Sequence, residues 1–134
     1  MKQIFVILLV SFTTHLAAQT IIQRDAEIEQ MVKEVSPDSL QSYINTLVAF
    51  GTRNTLSMQT NPVRGIGAAR NWVLKKFNEF AKQSGGRLTA MIDTTTLQPD
   101  GRRVDTTLLL GNVVATLSGT NASDNRIFII SGHL

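Results

Sequence analysis

The chain has no cysteine, which excludes a disulfide framework, a thiolate metal site and a lipid-modified cysteine at the end of a leader. Stability must come from a packed core. Long apolar runs are also missing: the longest, Ile4 to Val10, is far shorter than the roughly 20 residues that a spanning helix requires. Charge of one sign is scarce too. The formal net charge is +3 over 134 residues, and the basic residues are dispersed with few aromatics between them. A nucleic-acid-binding face is therefore not expected. Histidine occurs only at His15 and His133.

The first residues account for one of those histidines. Met1 to Ala18 has a charged start at Lys2, an apolar stretch and a small-residue end at Leu16-Ala17-Ala18 or Ala17-Ala18-Gln19. These are the three parts of a secretory signal peptide. Residues 1–19 are expected to be a leader containing His15, and residues 20–134 an exported chain, secreted or periplasmic. After cleavage no membrane segment is expected.

Helical spacing dominates the next third. Between Ile22 and Val35, the residues Ile28, Met31, Val32 and Val35 share one face. Ser36-Pro37 pairs an N-cap with proline at the first helical position, and Leu40, Tyr43, Ile44, Leu47 and Val48 follow at helical intervals. Gly51 ends that helix. A polar loop from Thr52 to Arg64 leads to a third helix over 65–82, striped by Ile66, Ala69, Val73, Phe77 and Phe80.

After Ser84-Gly85-Gly86 the pattern becomes that of strands. Leu88 to Leu97, the turn Pro99-Asp100-Gly101 and Val104 to Leu117 predict a hairpin, its second arm bulged near Gly111-Asn112. Arg126 to Ser131 is almost wholly apolar, which predicts a central strand buried on both faces. The expected class is α/β: amino-terminal helices, then a β-hairpin and a central strand of a mixed sheet flanked by helices.

His133, at the carboxyl end of that last strand, is the main chemical candidate. Ligands gather beyond such strand ends in open α/β sheets, and imidazole is the commonest metal ligand. Other motifs carry less. Gly65-Ile66-Gly67 resembles a phosphate-cradling loop but follows no predicted strand, so close packing is the better reading. Arg53 could clamp a carboxylate, although a surface role at a helix end is simpler. Asp93, Asp100, Asp105 and Asp124 show no metal-binding spacing. Asn121-Ala122-Ser123 fits the glycosylation pattern, which matters only in a host that glycosylates exported proteins.

Taken together, Leu47-Val48-Ala49-Phe50-Gly51-Thr52-Arg53, Gly65 to Val73, Gly111 to Gly119 and Ile129-Ile130-Ser131-Gly132-His133-Leu134 resemble the amino-terminal part of the M28 family of zinc peptidases. The resemblance implies a mixed central sheet flanked by helices, two zinc ions, a peptide substrate and hydrolysis of amino-terminal peptide bonds. It implies that His133 binds one zinc. The family usually continues the last motif as Gly-His-x-Asp-Ser, so its orienting aspartate would directly follow Leu134. The remaining ligands and the general base would also lie downstream, and residues 20–134 alone are expected to be inactive. Glutaminyl cyclase, which shares the fold, and a non-catalytic exported binding module are the alternatives.

Overall fold

The computed structural model describes residues 24–134. The predicted leader, with His15, lies outside the described residues. The described residues fall into two units, one ending at Pro37 and the other covering Asp38–Leu134.

In the first unit, helix α1 spans Ala26–Glu34. Its start is set by Asp25, whose carboxylate accepts hydrogen bonds from the backbone N–H groups of Glu27 at 2.8 Å and Ile28 at 3.4 Å. Two of the donors left open at a helix start are thereby satisfied. Glu27 and Glu29 in the first turn and Lys33 in the last complement the helix dipole. The helix starts at this cap, later than the apolar spacing alone suggested. Its apolar residues Ile28, Met31 and Val32 are all exposed.

Helix α2 covers Pro37–Ala49, as its cap and proline predict. It closes where the Gly51 N–H reaches the Val48 carbonyl at 3.0 Å, with Gly51 in the left-handed region at φ 74°. Tyr43 and Leu47 are half-buried, whereas Leu40, Ile44 and Val48 remain exposed. Helix α3 spans Gly65–Ala81 and supplies the fully buried positions of the second unit: Gly65, Gly67, Ala68, Ala69 and Arg70. Trp72 on α3 packs in T-shaped contacts with Tyr43 (ring centroids 5.6 Å apart) and Phe50 (6.4 Å).

Strands β1 (Leu88–Leu97) and β2 (Leu108–Leu117) form a two-stranded antiparallel sheet, and α3 packs on both. The register runs unbroken from Leu88 opposite Leu117 to Leu97 opposite Leu108. The predicted bulge at Gly111-Asn112 is therefore corrected. Gly111 pairs normally with Thr94, and its missing side chain serves a close approach by another element. The second strand also starts four residues later than Val104, because the hairpin loop has its own fastening. Asp100 accepts backbone hydrogen bonds from Arg102, Arg103 and Val104 at 2.9–3.0 Å, holding its carboxyl below the usual aspartate range.

A second correction concerns residues 126–131. They form no strand, and Ile127, Phe128, Ile129 and Ile130 are 83–98% exposed. Apolar composition states what a segment would gain by burial; it does not provide the neighbour whose backbone a strand must pair with. Among the described residues the sheet contains only β1 and β2. Among the described residues the observed class is mixed α/β, with three helices and one antiparallel pair of strands.

Candidate functional site

His133 lies beyond the apolar segment, outside any helix or strand, and is exposed. A side chain added at the neighbouring Gly132 would meet nothing within 4 Å. His133 is thus accessible. A protein zinc site needs about three protein donors. Among the described residues no three His, Cys, Asp or Glu side chains converge on a common point. These residues do not by themselves hold zinc, and His133 can contribute one donor only.

The four aspartates singled out in the sequence are not brought together. Asp100 is committed to its turn. Asp124 is bound by Arg126, whose Nη2 donates to Oδ2 at 2.6 Å and whose Nε donates to Oδ1 at 2.9 Å. That guanidinium holds the Asp124 carboxyl below its usual range. Asp93 is opposite Asn112 in the sheet, and Asp105 lies exposed between the strands. Asn121 is exposed, and its side-chain oxygen accepts from the Ser123 N–H at 3.0 Å. Arg53 is half-buried after α2, and no carboxylate among the described residues is within ion-pair distance of it.

The glycine-rich start of α3 is a packing joint, as the sequence suggested. Its free N–H groups are already used: Gly65 donates to the Phe50 carbonyl at 2.9 Å, Ile66 to Ser57 Oγ at 2.9 Å and Gly67 to the Met58 carbonyl at 3.1 Å. No donors remain there to cradle a phosphate. Gly65 has φ 81°, and a side chain there would come within 2.7 Å of the Met58 carbonyl oxygen. At Gly67 it would overlap the carbonyl of Gln59. The loop over 52–64 is drawn onto the helix because both positions lack a Cβ.

One polar residue in this joint escaped the sequence reading. Arg70 is only 6% exposed, and its Nη2 donates to Gln59 Oε1 at 2.5 Å. The guanidinium lies over Gly111 of β2: a Cβ there would collide with Nη1 and stand 3.1 Å from Cζ and 3.2 Å from Ile92 Cγ2. A glycine in the interior of a strand was the available signal, since it marks either a bulge or a close approach.

Comparison with known proteins gives the wider context. No family model matches the chain, and no solved structure matches it. Curated proteins do. The chain is 42% identical over 110 residues to a probable zinc metalloprotease of Pyrenophora teres f. teres (strain 0-1), covering 81% of this chain and 23% of that protein. It is 39% identical over 109 residues to a probable zinc metalloprotease of Pyricularia oryzae, covering 81% of this chain and 21% of the relative. A third, from Pyrenophora tritici-repentis, is 40% identical over 110 residues, with 81% and 25% covered. The chain thus spans about a quarter of the length of these relatives, and over four-fifths of its own length it is similar to proteins named as zinc metalloproteases.

Proposed function

We propose that this chain is the amino-terminal part of an exported zinc-dependent aminopeptidase of the M28 type. Residues 1–19 act as a cleaved leader, and residues 20–134 contribute the first part of a catalytic domain with a larger, phosphorylase/hydrolase-like mixed sheet. The observation that carries this reading is the similarity, at about 40% identity, to proteins named as zinc metalloproteases. The exposed histidine after an apolar segment agrees with it. His133 supplies one nitrogen donor to one of two zinc ions, and the rest of the donor set comes from beyond the described residues. When bound, zinc lowers the pKa of coordinated water and polarises the carbonyl under attack. What this chain offers is one ligand and the α3-on-hairpin scaffold. Its substrates are peptides with a free amino terminus, and its location is secreted or periplasmic.

The test is hydrolysis of leucyl substrates by the protein expressed from its intact gene. Activity should vanish with a chelator, return with zinc, fail on amino-acetylated substrates and fall at least 100-fold in His133→Ala. Release of ammonia from amino-terminal glutamine peptides would instead identify a glutaminyl cyclase. A folded product that binds no zinc would leave a non-catalytic binding module and overturn the proposal.

A further inference from the structure

Arg70 is the most unusual charged group among the described residues. Charged side chains are rarely buried without a partner of opposite charge, because removing an ion from water is costly. Arg70 is nevertheless nine-tenths buried. The ion pairs among the described residues join Arg24 to Glu29, Lys76 to Glu79 and Arg126 to Asp124; none includes Arg70. Its single protein acceptor is the neutral amide oxygen of Gln59. A guanidinium carries five N–H donors, so most of its capacity is unused.

The surroundings fix the group without neutralising it. Gln59 holds Nη2, while the bare backbone of Gly111 leaves room for Nη1. No side-chain nitrogen or oxygen among the described residues is both fully buried and without a hydrogen-bond partner. Nε and Nη1, which lack an acceptor, therefore keep a small opening to the outside. The result is a recessed, oriented cation with one accessible edge.

We propose that the Arg70 guanidinium is a receptor for a carboxylate, which enters at this edge and takes the donors that Gln59 leaves free. A carboxylate fits better than a phosphate. One guanidinium balances a single negative charge, and its planar fork matches a planar two-oxygen acceptor. Carboxylate capture at Arg70 requires neither zinc nor hydrolysis, so its failure and that of the peptidase reading are separable.

The test follows the Nε–Hε signal of Arg70 by nitrogen-15 NMR in the protein expressed from its intact gene, assigned by its disappearance in Arg70→Lys. Sodium acetate, free Ala-Ala and carboxyl-amidated Ala-Ala are titrated against sodium chloride at constant ionic strength. The signal should move saturably with acetate and free Ala-Ala, and not with chloride or the amide. A tighter response to free Ala-Ala than to acetate identifies a peptide terminus as the source, and equal responses identify carboxylates in general. Gly111→Ala, which pushes the guanidinium aside, should weaken the response at least tenfold. If the wild-type signal ignores both carboxylates, or moves equally with chloride, the proposal is wrong and Arg70 is a strut satisfied by Gln59 and water. With the signal assigned through Arg70→Lys, that titration decides the matter even if Gly111→Ala fails to fold.

Discussion

Replacing Phe128 and Ile130 by lysine should turn a self-associating chain into a dispersed one. Ile127, Phe128, Ile129 and Ile130 are 83%, 83%, 87% and 98% exposed, so nearly all the gain from burying them is still to be collected. Full burial of one such side chain contributes roughly 1.5–3 kcal/mol. Paired as a strand, the segment would turn alternate residues to opposite sides, which groups Phe128 with Ile130 and Ile127 with Ile129. A neighbour covering one side therefore gains about 3–6 kcal/mol. Loss of that gain weakens association by about two to four decades, because each tenfold corresponds to roughly 1.4 kcal/mol. Lysine also opposes strand pairing at an open edge. Sedimentation velocity over a concentration series measures the effect. The wild-type chain should form large species at tens of micromolar, and the double variant should remain smaller at the same concentration. Ile127→Lys with Ile129→Lys tests the opposite side. If both double variants and the quadruple variant associate as the wild type does, the apolar segment is not the cause and the reasoning fails.

Three further outcomes follow from the packing. Gly111→Ala should cost about 2 kcal/mol, as loss of a charge-assisted hydrogen bond and crowding of Ile92 outweigh the rigidity gained; amide exchange in α3 and β2 should quicken about 30-fold. In an Arg70→Met background the same change should cost clearly less, the crowding of Ile92 alone remaining, and an equal cost in both would refute the contact. Gly67→Ala should open the loop over 52–64 to proteolysis by forcing the Gln59 carbonyl away, whereas Gly119→Ala, which meets nothing within 4 Å, should be neutral. For Asp100 the carboxyl is held low by its three backbone donors, so the hairpin loop keeps this contribution above the ordinary aspartate value of about 3.9 and loses it as pH falls through the lowered one. The amide shifts of Arg102, Arg103 and Val104 should report that midpoint, and Asp100→Asn should abolish the transition.

The elements legible in the sequence are those whose signals are local. Ser36-Pro37 and Gly51 bracket α2, and Pro99-Asp100-Gly101 marks the hairpin, because caps and turns are set by residues adjacent in the chain. Gly111 was misread because its cause is remote: Arg70, on a different element, occupies the space in front of it. The apolar run over 127–130 was read correctly as hydrophobic and wrongly as paired, since pairing depends on a neighbour that the run itself does not encode. His133 stands out as a type of residue, yet a metal centre is a property of several converging donors, and one position cannot display it. Arg70 went unnoticed because it is held by residues remote in the chain, Gln59 and Gly111, rather than by anything in the arginine itself.

Trp72 is the sole tryptophan of the chain and Tyr43 the sole tyrosine, and their rings are 5.6 Å apart. Light absorbed by that phenol passes to a single indole across the seam between α2 and α3, with the Lys76 ammonium 5.8 Å from both rings. Phenolic emission should stay dark while the two helices touch and brighten as they part. The protein thus carries an unlabelled optical gauge of one seam, readable in dilute solution.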